Sequence, residues 1–174
     1  MTTINVYETC PVYETTSFTL RLVRIEDAKA LLSCYSDKLA VSRINADCCT
    51  SDFYYTTLTQ MEDCIRFWLW SYETHSFVRF SVIPKGNDDP VGTVEIFGGE
   101  WGILRIDLET AYDTENYVEE LLQLALAHFI RDFQVESLKI KASNTPDRVP
   151  LFKKHGLVLS KTFHSELGYY EYPV

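Results

Sequence analysis

Long apolar runs are missing from this sequence. None approaches the ~20 residues that a membrane-crossing helix needs, so no membrane span is expected. The first ten residues (MTTINVYETC) have no basic start and no extended apolar segment, which argues against a secretory signal and for a cytoplasmic protein. Positive charge is scarce: 16 Lys and Arg stand against 25 Asp and Glu, for a formal net charge of −9. Nucleic-acid binding rests on neutralising phosphates with Lys and Arg, so that class is disfavoured. Paired cysteines are missing too. The five (Cys10, Cys34, Cys48, Cys49, Cys64) are an odd number without a C-x-x-C spacing, which speaks against a disulfide framework or a zinc site and for reduced thiols. Cys48 and Cys49 are adjacent in a polar stretch with nothing nearby in sequence to activate a thiolate. His75, His128, His155 and His164 show no metal-ligand spacing, and His128 reads as a packed or edge residue of a helix. Repeats and low-complexity linkers are also lacking, so one domain over residues 1–174 is expected.

What is present is an ordinary globular composition, 46% hydrophobic and 24% charged, on a chain long enough to bury a sizeable core. Residues 1–16 are a weakly patterned lead-in. Residues 18–23 (FTLRLV) alternate as a strand, and Ala28, Leu31, Leu32 and Tyr35 follow at helical spacing. The stretch 41–58 is polar with embedded aromatics and reads as a loop. Over 59–72, Met61, Cys64, Ile65, Trp68 and Leu69 share one side of a second helix. Residues 77–83, 91–97 and 103–109 then alternate as three strands joined by turns rich in Gly, Asn, Asp and Pro, the pattern of an antiparallel meander. In the third, Leu104, Ile106 and Leu108 point one way; Arg105, Asp107 and Glu109 form the polar side.

Residues 116–133 carry the strongest helical stripe, built on Val118, Leu122, Ala125, Phe129 and Phe133. Asn116 is the expected N-cap, with Glu119 completing a capping box. A strand at 136–142, a short helix at 146–155 closed by Gly156, and an antiparallel pair at 157–163 and 166–172 complete the order β-α-α-β-β-β-α-β-α-β-β.

That order, with its local wording, resembles the GNAT (N-acetyltransferase) superfamily, and more narrowly the branch of ribosomal-protein N-terminal acetyltransferases. The opening strand and helix (FTLRLVRIEDAKALL, 18–32), the strand VGTVEIF (91–97), and ASNTP (142–146) followed by LFKKHGL (151–157) carry the likeness, which spans roughly residues 17–172. It implies an α+β fold with a mixed, mostly antiparallel central sheet and helices on both faces. It further implies acetyl-coenzyme A as co-substrate and an amine acceptor, a small molecule or a protein N-terminus. No nucleic acid, membrane or metal enters this picture, and a homodimer is an admissible assembly.

In the family, a loop written R/Q-x-x-G-x-G/A cradles the coenzyme's pyrophosphate on backbone N–H groups at a helix N-terminus. The matching residues are Asp113, Thr114, Glu115, Asn116, Tyr117 and Val118. Asp113 stands where the family has Arg or Gln, and Asn116 and Val118 replace small residues. With Glu119 and Glu120 the segment is acidic. Two like unit charges about 4 Å apart repel by ~4 kcal/mol at an effective dielectric near 20, so the loop reads as impaired for an anionic ligand. The segment 137–161 offers a counterweight in Lys139, Lys141, Arg148, Lys153, Lys154 and Lys161, either a local anion site or a solvated basic face.

The resemblance also implies catalytic roles. Glu109 is the first choice of base for the amine's proton and Asp107 the second; the bland reading is that both face solvent or pair with Arg105. Leu108 would offer its N–H to the acyl oxygen, and Asn144 belongs to the cofactor-binding set. The family's acid Tyr is replaced by Phe152, leaving Ser143, Asn144 or a Tyr of the 169–172 strand open as substitutes. The aromatics Phe53, Tyr54, Tyr55, Trp68, Trp70 and Tyr72 read as core or as the lining of an acceptor groove. A degenerate domain that binds or regulates without catalysis is the alternative function. A basic face for an anionic partner is a weaker third.

Overall fold

The structure is a computed structural model and describes residues 5–44 and 51–173. Cys48 and Cys49 lie outside the described residues. Strict two-residue alternation makes the central element. Strands β1 (Tyr13–Glu14), β2 (Phe18–Leu22), β3 (Val78–Pro84), β4 (Gly92–Ile96) and β5 (Leu104–Leu108) form one sheet in chain order, every neighbouring pair antiparallel. Phe80, Val94 and Ile106 face one another across β3–β5 in register, as do Val78, Ile96 and Leu104. This apolar face packs on the helix α4 (Glu115–Leu124) through Val118, Leu121, Leu122 and the residues beyond it, Ala125, Phe129 and Phe133.

The opposite face is covered by α1 (Ala28–Ser36), α2 (Lys38–Arg43) and α3 (Leu58–Glu73), whose apolar residues form a second cluster around Tyr35, Met61, Ile65 and Trp68. Helix α3 starts on a capping box in which Thr57 and Gln60 bond each other's backbone N–H reciprocally. The short α2 runs into the stretch 41–58 whose sequence reads as loop. Six residues show too little periodicity to register, and what starts the helix is a local cap, Asp37 accepting from the N–H of Leu39 at 2.9 Å.

Two further expectations are corrected. The N-cap of α4 is Thr114, not Asn116, and Glu119 turns to Lys154 and His155 instead of closing a capping box. The helix expected over 116–133 runs unbroken from Glu115 to Asp132, with a π turn (Ala125–Phe129) inside it between α4 and α5 (Ile130–Asp132).

A second sheet contains β6 (Ser137–Lys141), β7 (Val158–Leu159) and β8 (Tyr169–Pro173), in the order β6-β8-β7, with α6 (Val149–Lys154) between β6 and β7. The expected closing pair exists, but β7 is only two residues long. Among the described residues the sheets meet at a single parallel bridge, Ile103 with Lys139. Gly102 makes that junction possible. Its φ is +54°, its carbonyl accepts from the N–H of Lys139 at 2.7 Å, and an added Cβ would lie 2.0 Å from the carbonyl oxygen of Ser137. After the bridge, β5 and β6 part and leave a seam.

Candidate active site

The α3-facing side of the sheet carries polar residues in register. Arg79, Glu95 and Arg105 form one cross-strand row, and Ser81, Thr93 and Asp107 the next. All six are buried. Arg79 donates to Glu95 Oε2 through Nε at 2.9 Å and through its second terminal nitrogen, and to Asp107 Oδ2 at 3.1 Å, Tyr35 Oη at 3.0 Å and Thr93 Oγ1 at 3.0 Å. Its guanidinium lies 4.2 Å from the ring centre of Trp68, a cation–π contact. Asp107 therefore neither faces solvent nor rests on Arg105 alone. Burial pushes its carboxyl above the ordinary aspartate range, against the pull of Arg79 and Arg105.

Glu109 is separate from this network. Its N–H donates to Val91 O, which fixes the alternation of the ladder and turns the N–H of Leu108 away from β4, toward the seam. The carboxyl of Glu109 is half buried and held above its usual range, first by desolvation and then by nearby Asp37. Its carbonyl accepts from the N–H groups of Tyr112 and Asp113, shaping the turn into α4.

The remaining site residues divide. Thr114, Glu115 and Asn116 are exposed at the start of α4. Tyr117 packs edge-on against Phe18, and Val118 is a core residue at 1% exposure. Asn144 donates to the carbonyl of Ile44 at 3.1 Å and so secures the chain after α2. Phe152 is fully buried, and Tyr169 has a buried hydroxyl without a hydrogen-bond partner among the described residues.

Asp113 changes meaning most. It pairs with Arg43 and with Arg148, the latter at 2.7 Å, while Arg43 also holds Asp147 at 2.8 Å. Arg148 donates to the carbonyl of Ile106 at 3.2 Å, and its guanidinium fills the seam, where about 10 Å³ of free space remains. The expected acid crowding is thus largely cancelled. Glu119 pairs with Lys154 and His155, and Glu120 accepts from the N–H of Ser17 at 2.6 Å. Half of the basic segment is consumed in the same way. Lys139 is buried with Nζ on the carbonyls of Glu100, Trp101 and Ser137, Arg148 is inside the seam, and Lys154 is paired. The two arginines at the seam are already balanced by Asp113 and Asp147, so the site would hold a polyanionic coenzyme only if those pairs open and Arg148 withdraws.

The sequence reading missed a large cavity of about 1350 Å³ on the other side of the bridge, walled by Phe53, Trp68, Phe77, Phe97 and Trp101, with Arg79, Glu95 and Arg105 also lining it. The signal was there: ionisable residues at the centres of strands that otherwise read as buried. Of the aromatics singled out in the sequence, Phe53, Tyr55 and Trp68 line this cavity, whereas Trp70 is exposed. Among the described residues no cluster of His, Cys, Asp and Glu forms a metal site, and no helix is long and apolar enough to cross a membrane.

No protein-family model matches the sequence, and no curated protein matches it. Solved structures do match the fold. The ribosomal L7/L12 alpha-N-protein acetyltransferase RimL, in complex with coenzyme A, superposes with a TM-score of 0.72 at 10% identity, covering 94% of this chain and 98% of that one. A GNAT-family acetyltransferase from Bacillus anthracis gives 0.70 at 12% identity, with 94% and 98% covered. An acetyl transferase from Salmonella typhimurium that modifies the N-terminal serine of ribosomal protein L7/L12 gives 0.70 at 10%, with 94% and 99% covered. The fold is that of the GNAT acetyltransferases.

Proposed function

We propose that the chain is an N-acetyltransferase of the GNAT type, moving an acetyl group from acetyl-coenzyme A to an amine of a small molecule or a protein N-terminus. The observation that carries this reading is the seam, where β5 leaves β6 after one bridge and turns the N–H of Leu108 toward the opening, next to Glu109. When bound, the thioester supplies an activated acyl group. The chain supplies a donor for the acyl oxygen in Leu108 and an acceptor for the amine's proton in Glu109, whose raised pKa brings it closer to neutral pH. Arg43 and Arg148 supply positive charge for phosphates once Asp113 and Asp147 release them. The ribosomal-protein acetyltransferases among the structural neighbours support a protein N-terminus as one acceptor.

Isothermal titration with acetyl-coenzyme A tests this. Saturable binding, with turnover of an amine lost in Glu109→Gln, is the expected result; absence of binding up to millimolar concentration sinks it. A second reading, a domain that binds or regulates without catalysis, is favoured by Arg148 filling the seam. Thermal stabilisation by coenzyme A in Asp113→Asn/Arg148→Ala but not in the wild type would decide for it, since a ligand stabilises the state that binds it.

A further inference from the structure

The cavity beside Trp68 and Trp101 has an unmet chemical demand on its wall. Glu95 is 1% exposed, and its two oxygens differ. Oε2 is taken by Arg79. Oε1 lies 3.0 Å from a terminal nitrogen of Arg105 as an ion pair, yet no described group gives it an aligned hydrogen bond. A carboxylate oxygen buried among aromatic rings needs donors. Arg79 directs its recorded bonds to Glu95 Oε2, Asp107, Tyr35 and Thr93, none of them to Oε1. The missing partner is therefore a donor, and the rings of Phe53, Trp68, Phe77, Phe97 and Trp101 offer apolar contact and cation–π faces around it.

We propose that this cavity binds an amine bearing an aromatic or bulky aliphatic group, with the amine's N–H bonds directed at Glu95 and the apolar group among the rings. Its catalytic meaning, as the acceptor pocket, rests on the acyltransferase reading; the binding itself does not. Position supports the link. Ile103 and Arg105 line the cavity, Ile103 forms the bridge at the vertex of the seam, and Arg105 lines the seam as well. A head group at Glu95 on β4 lies one strand spacing, about 4.8 Å, from β5.

Trp68 and Trp101 make the binding observable by intrinsic fluorescence on the full chain without coenzyme. Phenethylamine and a short peptide with an N-terminal Phe are the probes. A saturable change with either supports the proposal, and which of the two binds more tightly tells a small molecule from a protein N-terminus. Ethylamine and 3-phenylpropionate should bind at least about tenfold more weakly. Trp101→Ala, at an exposed loop position that leaves the core intact, and Glu95→Gln should each weaken phenethylamine by about tenfold, with folding checked by circular dichroism. Equal or tighter binding of 3-phenylpropionate overturns the proposal, as does no saturation with either amine at millimolar concentration. Binding without acetyl transfer would leave the pocket standing and sink the acyltransferase reading; transfer indifferent to the apolar group would do the reverse.

Discussion

The two faces of the five-stranded sheet are both buried, and they are built from opposite chemistry. Toward α4 the strands present Val78, Phe80, Val94, Ile96, Leu104 and Ile106, an apolar layer stabilised in proportion to the area removed from water. Toward α3 the same strands present Arg79, Ser81, Thr93, Glu95, Arg105 and Asp107, equally dry and joined by hydrogen bonds and ion pairs. A buried ion pair adds little net stability, because desolvation offsets attraction, but halving one strands a charge. The first face explains why the protein folds. The second has a weaker case as a stabiliser, and it is the face that lines the cavity.

Neighbouring substitutions in one strand should break the comparison open. Arg79→Met strands Glu95 and Asp107 and should cost about 3–5 kcal/mol in urea unfolding. Phe80→Leu, one residue on and facing α4, should cost only about 1 kcal/mol. Equal effects would mean that the polar row is less dry than its burial implies. At the vertex where the sheets meet, Gly102→Ala combines a left-handed φ with a clash on Ser137 and should lower stability by about 1–3 kcal/mol in the same assay.

A smaller effect is expected at the seam. Asp113→Asn removes the carboxylate that holds Arg43 and Arg148, so acetyl-coenzyme A should bind about tenfold more tightly, or ~1.4 kcal/mol, by isothermal titration. Weaker binding would mean that Asp113 positions the arginines for the ligand instead of competing with it.

The smallest effects are in pH dependence, where two aspartates of the polar face have opposite signs. Burial raises the carboxyl of Asp27, but hydrogen bonds from Arg21, Ser81 and the N–H of Arg24 bring it below the ordinary range. Its stabilisation is present above the unfolded aspartate pKa and is lost as pH falls through the folded value. Asp107 is held above the ordinary range, so the folded state binds its proton more tightly, and stability falls as pH rises from the unfolded value through the folded one. Urea midpoints measured across pH should show Asp27→Asn flattening the acid limb and Asp107→Asn the opposite slope.

Much of the fold was legible because it rests on local periodicity. Alternation in 77–83, 91–97 and 103–109 located β3, β4 and β5, and the stripe on Val118, Leu122 and Phe129 located α4. Short elements escaped. The six residues of α2 and the two of β1 are held by caps and ladder partners, which a window of sequence does not contain, while β7 keeps only two of the residues expected over 157–163. The site was legible in part. Leu108 and Glu109 fall at the end of β5 as expected, whereas Asn144 fastens α2 and Val118 belongs to the core.

By itself, then, the sequence determined where the longer strands and helices lie, their order, and the resemblance to GNAT acetyltransferases, because backbone periodicity and turn chemistry act over a few residues. Only the tertiary structure decided what the charges do. Asp113 reads as a repulsive acid until Arg43, 70 positions away, and Arg148, 35 away, close on it. Arg79, Glu95 and Arg105 read as the polar side of three strands until α3 covers them and the strands align them in one row. A charge acts through whatever lies within a few ångströms and through the dielectric around it, and both are set by chain segments far apart in sequence.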